Sequence, residues 1–153
     1  MENTITIPSG LEGFTNTNTK KAPTVTDRMI LIIDGKIRER EDDRVCPKCG
    51  CKMHVHDTYD VHLSHIPFGR TLSAVRFEKR RYICPECHAT SMQGVPFQAG
   101  GHRITATLYS YARDLLELGL TNKNVSELTG LCKNTVKDID KERLLEKYTV
   151  DGK

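Results

Sequence analysis

The stretch CPKCGCKMHVHD, residues 46–57, contains three cysteines, two histidines and an aspartate. Two of the cysteines form a CPKC motif, Cys46 to Cys49, and a second motif of the same kind, CPEC, spans Cys84 to Cys87, with 34 residues between the two. In a CxxC turn both sulfurs face one ion, and structural zinc takes four sulfur or nitrogen ligands. The spacing therefore predicts a zinc ribbon with one structural zinc ion, held by Cys46, Cys49, Cys84 and Cys87.

Other side chains near the first motif leave an alternative open, a local metal site formed by Cys49 with Cys51, His54 and His56. That site would leave the second CxxC motif unused, so we interpret Cys51 and His54 as packing or hydrogen-bonding neighbours. A redox-active dithiol is a weaker alternative, because two motifs that each contain proline are typical of metal loops. We expect the remaining histidines at the protein surface or around the ligands: His56, His62, His65, His88 and His102.

Length and composition limit the class of protein. The 153 residues suffice for one ordinary domain or two small ones, and 37% are hydrophobic. No apolar run approaches the roughly 18 residues of a membrane span, and MENTITIPSG lacks the features of a secretory signal. We therefore expect a cytoplasmic protein without a membrane partner. In a reducing compartment paired CxxC motifs favour metal over disulfides.

Charge alone does not indicate a nucleic-acid partner, since the formal net charge is only +3. The distribution is more informative, because residues 44–100 carry 8 Lys or Arg against 4 Asp or Glu. Any DNA-binding role must therefore rest on where the basic side chains lie rather than on total charge.

The first half of the chain is predicted to be β-rich. Residues 1–28 lack periodicity and are expected to form a flexible N-terminal segment. Residues 29–97 are expected to form a β-hairpin around Asp34-Gly35, followed by the zinc ribbon. Between the two cysteine motifs, DVHLSHIPFGRTLSAVRFEKRRYI predicts two or three antiparallel strands with a break at Phe68-Gly69.

The second half has helical periodicity, and residues 102–148 are predicted to form three helices. The first presents one apolar face, formed by Ile104, Leu108, Tyr111, Leu115 and Leu118. The second spans 122–129 and ends at Gly130, and the third runs from Lys133 to about Tyr148, with Val136, Ile139, Leu144 and Tyr148 inward. The expected fold class is α+β, a small zinc-ribbon β module followed by a three-helix helix-turn-helix module.

The segment LTNKNVSELTGLCKNTVKDIDKE suits a helix-turn-helix, whose second helix lies in the major groove. That helix would present six side chains outward: Cys132, Lys133, Asn134, Lys137, Asp138 and Lys141. The phosphate backbone could be held by Lys123 and Asn124. Further DNA contacts could come from the basic strand of the ribbon, which contains Arg80 and Arg81 near Arg76 and Lys79. The alternative for the helices is a plain three-helix bundle with a solvated polar face. The alternative for the basic strand of the ribbon is a strand edge whose charges only prevent aggregation.

The order of these parts resembles the N-terminal region of ISL-three-type insertion-sequence transposases. The resemblance covers about residues 29–148, through CPKCG, RRYICPEC, SMQGVPF and VSELTGLCKNTVKDI. It implies that Cys46, Cys49, Cys84 and Cys87 bind zinc and that Lys133–Lys141 is a recognition helix. The implied partner is double-stranded DNA, at the terminal inverted repeats of the element.

In that family a DDE catalytic domain follows, and it needs three separated carboxylates that hold two metal ions. The sequence offers no such constellation, so we expect no catalytic residue and no enzymatic activity, in a truncated transposase or a free-standing remnant. Two other functions stay open, a zinc-ribbon transcription regulator and a protein-interaction module that pairs with a full-length transposase.

Overall fold

The computed structural model describes residues 11–151 of the chain, and their side chains up to residue 148. This part forms a five-stranded sheet followed by three α-helices, which confirms the predicted α+β class. The strands are β1 (Phe14–Pro23), β2 (Met29–Ile37), β3 (His54–Phe68), β4 (Thr71–Ile83) and β5 (Thr90–Met92). The helices are α1 (Ala106–Glu117), α2 (Asn122–Thr129) and α3 (Lys133–Asp151). Within residues 11–151 no helix is both long enough and apolar enough to span a membrane.

The long β3–β4 hairpin organises the sheet. The strand order is β1-β2-β4-β3, with β5 also on β4, and β2 runs parallel to β4 while the other pairs are antiparallel. The hairpin register extends from His54 opposite Ile83 to Phe68 opposite Thr71. At the usual rise of a strand the hairpin is about 40 Å long. Its open end carries both cysteine motifs, and its closed end contacts the helices.

The N-terminal part of the sheet corrects two predictions. Strand β1 lies within the segment predicted to be flexible, whose residues 1–10 are outside the described part of the chain. Its Thr and Asn side chains are exposed on both faces, so the strand has no hydrophobic period and is held by pairing with β2. The predicted hairpin turn at Asp34-Gly35 is wrong, because β2 runs straight through both residues. Gly35 instead gives room to the ring of Phe14, which a Cβ atom would overlap.

One hydrophobic cluster lies on the sheet, and another joins the helices to the sheet. Leu63, Val75, Phe77 and Phe97 form the sheet cluster, where the rings of Phe77 and Phe97 meet edge to face at 5.5 Å. The helical cluster contains Leu108, Ala112, Leu116, Val125, Leu131, Val136 and Ile139, and Ile66 of β3 packs against it. A Cβ atom on Gly130, whose φ is +80°, would overlap Leu72 of β4. The turn between α2 and α3 therefore lies directly on the sheet.

The buried face of α1 differs from the predicted one. Leu108, Ala112 and Leu116 are buried at steps of four residues, whereas Tyr111 is 38% and Leu118 77% exposed. The prediction relied on the larger apolar side chains and omitted Ala112. Alanine at this position is small enough for neighbouring helices to approach closely. Helix α2 spans the predicted residues, and Gly130 caps it in the left-handed conformation that glycine favours.

Helix α3 buries only part of its predicted inner face. Val136 and Ile139 are fully buried, whereas Leu144 and Tyr148 are exposed. The side of the second half of α3 that faces α1 carries polar side chains instead, among them Glu142, which accepts a hydrogen bond of 2.6 Å from Tyr109. The prediction that Leu144 and Tyr148 point inward is therefore wrong, because ion pairs and hydrogen bonds replace apolar packing there.

Candidate metal centre and nucleic-acid interface

The β3–β4 hairpin brings the two cysteine motifs together at its open end. The sulfurs of Cys46 and Cys87 lie 3.5 Å apart and those of Cys49 and Cys84 3.4 Å apart. All four Sγ atoms lie within 4.8 Å of one another. Four thiolates around a tetrahedral zinc ion are separated by about 3.8 Å, given the usual zinc–sulfur bond length. The four cysteines thus form a set that could bind one structural zinc ion.

The two motifs fold into the same turn. In the first, the N–H of Cys46 donates to the carbonyl of Cys51 (2.9 Å) and Gly50 N–H to the carbonyl of Cys46 (3.0 Å). In the second, the N–H of Cys84 donates to Ala89 (2.8 Å) and His88 N–H to Cys84 (3.0 Å). The residue after each second cysteine is left-handed, with φ +78° at Gly50 and +62° at His88. The sequence pattern did not indicate that His88 would adopt this left-handed backbone conformation.

Backbone N–H groups favour the thiolate form that zinc requires at Cys46 and Cys84, whereas contacts with the neighbouring sulfurs raise the pKa of Cys49 and Cys87. The N–H of Cys49, with that of Lys48, lowers the pKa of Cys46 to about 6, against the opposing effect of burial. The N–H of Cys87 acts in the same way on Cys84 and lowers its pKa. Cys46 and Cys84 are buried and Cys49 and Cys87 exposed, so the group closes over one side of an ion. A four-sulfur set without room for substrate is structural rather than catalytic.

A small cluster of buried side chains packs against the candidate metal site. Met53 and Tyr82 are fully buried against Cys46 and Cys84, and Cys51 packs against the same cluster. The hydroxyl of Tyr82 donates to Glu39 at 2.6 Å, and burial, with this contact, raises the pKa of Tyr82 to about 12. So few buried side chains supply little stability alone, which is the usual reason for a structural metal in a small module.

Cys51, His54 and His56, which would complete the alternative local site with Cys49, do not belong to the converging four-cysteine group. Cys51 packs in the cluster just described, while His54 and His56 are exposed. Among the described residues, the only group of metal-binding side chains that converge is the one formed by Cys46, Cys49, Cys84 and Cys87. The interpretation of Cys51 as a packing neighbour agrees with this arrangement.

Residues 42–87 match the family described as the zinc finger of transposase IS204/IS1001/IS1096/IS1165. This segment is similar to a transposase zinc ribbon. The match contains both CxxC motifs and the hairpin between them, and it confirms the resemblance drawn from the sequence for this part of the chain. The zinc ribbon of such transposases is a non-catalytic DNA-binding region. No curated protein and no solved structure matches the chain.

The ribbon arginines predicted to contact DNA are engaged within the protein. Arg81 binds Asp57 through two hydrogen bonds, of 3.0 Å from Nε and 2.8 Å from Nη2. Arg80 donates to Glu39 at 3.1 Å. Neighbouring Arg76 likewise holds Asp34 through two hydrogen bonds, of 2.5 and 3.0 Å. These guanidinium groups would have to leave a carboxylate before they could bind phosphate.

The predicted DNA-facing side of α3 is exposed. Cys132, Lys133, Asn134, Lys137, Asp138 and Lys141 all lie at the surface, as do Lys123 and Asn124 near the start of α2. Within the described part of the chain, Lys133, Lys137 and Lys141 form no ion pair or side-chain hydrogen bond, in contrast to the arginines of the ribbon.

One histidine is not where the sequence suggested. His65 was expected at the surface or near the metal ligands, but it is 1% exposed and lies at the helical end of the hairpin. Its Nδ1 atom is 2.8 Å from the hydroxyl of Thr105. A surface position was expected because histidine is polar. Side chains of β3 alternate between the two faces of the sheet, and this places His65 on the same buried face as Leu63.

Proposed function

We propose that this protein binds a specific double-stranded DNA sequence through α3, and that its zinc ribbon stabilises the sheet on which the helices rest. Following the match at residues 42–87, the target would be the terminal inverted repeats of an insertion sequence. The observation that carries the proposal is the separation of charge around α3. No catalytic step is part of the proposal.

Three acidic residues of α3, Asp140, Glu142 and Glu146, are held by neighbouring side chains, whereas Asp138 is exposed beside Lys137. Glu142 accepts hydrogen bonds from Tyr109 and lies 3.1 Å from His102, and Glu146 pairs with Arg113 at 3.2 Å. Both carboxylates therefore lie toward α1. Lys133, Lys137 and Lys141 follow one another at steps of four residues, so they share one side of the helix. That side has free positive charge suited to phosphate oxygens and base edges.

The contacts between α2 and α3 support a helix-turn-helix. The hydroxyl of Ser126 donates to the carbonyl of Leu131 at 2.6 Å, which ties α2 to the turn. Thr129, at a position where an apolar residue is more usual, is buried and donates to the carbonyl of Val125 at 2.7 Å. Its polarity is thus satisfied within α2. In such a unit the N-terminal part of the second helix enters the major groove.

We assign different roles to the exposed groups of this surface. Asn134 has the amide that suits an adenine edge, and the three lysines suit guanine edges or phosphates. Lys123, at the beginning of α2, would hold the phosphate backbone. Arg80 and Arg81 are assigned a smaller contribution than the sequence suggested, because both guanidinium groups are occupied.

The test is selection of bound sequences from a random DNA pool with zinc-replete protein, followed by titration of the selected duplex. Lys137→Ala should weaken binding about five-fold at 0.15 M salt and lower the salt slope by about one, as expected for one lost phosphate contact. Asn134→Ala should relax the preference at one base position. Lys36→Ala, an exposed lysine on the sheet, is the matched control. An unenriched pool, or wild-type binding by both α3 variants, contradicts the proposal.

A second candidate function is pairing with another protein, such as a full-length transposase. It is favoured by three exposed apolar side chains in the second half of α3, Leu144, Leu145 and Tyr148. Leu145→Lys should abolish such pairing in size-exclusion chromatography and leave DNA affinity unchanged. Loss of DNA affinity without any change in assembly would argue against this candidate.

A further inference from the structure

We infer that the tip of the β3–β4 hairpin, residues 68–70, is a second DNA-binding element, in which Arg70 binds a backbone phosphate beside the duplex contact of the helices. The inference rests on the proposed function, since it extends the same DNA surface from α2 and α3 to the sheet. Neither the cysteine spacing nor the helical pattern indicated it.

The tip is fastened to α2 by one side chain. Arg28, in the loop before β2, donates from Nε to the carbonyl of Arg70 at 2.8 Å. The same guanidinium donates from Nη1 to the carbonyl of Glu127 at 2.6 Å. Arg28 thus bridges the backbone of the tip and the backbone of the helix, so the two cannot separate unless one of these bonds breaks.

The tip and α2 border one groove. Gly69 and Arg70 line it on the hairpin side, and Asn124, Glu127 and Leu128 line it on the helix side. Asn124 belongs to the first turn of α2, the end that approaches the phosphate backbone in a helix-turn-helix. Arg70 therefore stands next to the part of α2 that the proposed function places on DNA.

The side chain of Arg70 is accessible in a way that the ribbon arginines are not. It is 74% exposed and meets Asp27, which is 84% exposed, through a single contact of 3.1 Å. Exposed pairs of this kind contribute little stability, so phosphate can replace the carboxylate at small cost. Arg81, by contrast, is 33% exposed and held by two bonds.

The shape of the hairpin tip also permits a DNA duplex to approach its backbone closely. Gly69 has φ +61° and nothing lies within 4 Å of the place of a Cβ atom. A duplex could therefore come near the backbone of the tip. A planar guanidinium on a fixed backbone binds two phosphate oxygens with little loss of entropy, which favours Arg70 as the contact.

The experiment measures affinity for the selected duplex by fluorescence anisotropy over a range of salt concentrations. Arg70→Ala should weaken binding about five-fold at 0.15 M salt and lower the salt slope by about one. Asp27→Asn should strengthen binding, because it removes the carboxylate that competes with phosphate. A purely structural ion pair predicts no gain from Asp27→Asn. Lys52→Ala, which removes an exposed charge at the open end of the same hairpin, should leave binding unchanged.

The outcomes separate this inference from the proposed function. If Lys137→Ala weakens binding and Arg70→Ala does not, the tip contact is wrong and the α3 assignment stands. If neither variant changes affinity and Asn134→Ala also binds like wild type, the proposed function itself is wrong. Equal losses for Arg70→Ala and Lys52→Ala would show a general charge effect and overturn the inference. Circular dichroism of each variant checks that its fold is retained.

Discussion

The Nδ1 atom of His65 lies 2.8 Å from the hydroxyl oxygen of Thr105, and both residues are buried. The same hydroxyl oxygen accepts a hydrogen bond of 3.2 Å from the N–H of Leu108 and so caps the N-terminus of α1. The hydroxyl group also bonds Nδ1 of His65, and the tautomer of the neutral imidazole decides which of the two donates. This pair joins the sheet to the first helix.

Acid should weaken this junction. Burial lowers the pKa of His65 to about 4, below its unfolded value of about 6.5. The unfolded chain therefore binds the proton first as pH falls, so the stabilisation is fully present above pH 6.5 and is lost progressively toward pH 4. At pH 5 the loss is about 2 kcal/mol. Urea unfolding of the zinc-replete protein between pH 7 and pH 4.5 measures it.

His65→Gln provides the control, since glutamine hydrogen-bonds but does not titrate in this range. Protonation of the cysteines weakens zinc binding in both proteins, so only the difference between the two pH profiles reports on His65. The variant should be less stable than wild type at pH 7, and the gap should narrow as pH falls. Parallel profiles would contradict the assigned role of His65.

The parts of this fold that depend on local spacing could be predicted from the sequence. The CxxC motifs, the hairpin between them and the span of α2 follow from patterns within a few residues. Gly130 was likewise visible as a helix end. These signals are local because a tight metal turn and a helix cap are each decided by neighbouring residues.

The parts that depend on distant partners were not predictable from single-sequence patterns. The sequence pattern suggested that Gly35 lies in a turn. In the structure its lack of a side chain makes room for Phe14 of β1, a strand with no alternation of hydrophobic residues. Arg81 read as a DNA contact, yet its partner Asp57 lies across the hairpin. A charge pattern along one strand carries no information on the facing strand, so free and paired arginines look alike in sequence.

Replacement of single cysteines should separate ligands from neighbours. Cys84→Ser should lower bound zinc from one ion to less than half an ion per chain, because a serine hydroxyl is a poor zinc ligand. Cys51→Ser should keep one ion, since Cys51 only packs against the cluster. Chelator titration of released zinc after denaturation measures both. Full zinc in Cys84→Ser, or its loss in Cys51→Ser, would restore the local site as the better interpretation.

Arg81 offers a direct test of whether a paired arginine contacts DNA. Its guanidinium binds Asp57 with two hydrogen bonds and lies 5.6 Å from the ring centre of Tyr59, so it is fixed on the strand. Arg81→Ala should therefore change affinity for the selected duplex less than two-fold and leave the salt slope unaltered, while stability falls by up to about 1 kcal/mol. Asp57→Asn should free the guanidinium and raise affinity for any duplex regardless of sequence. A loss of affinity in Arg81→Ala comparable to that of Lys137→Ala would instead place the ribbon strand on DNA, as the sequence alone suggested.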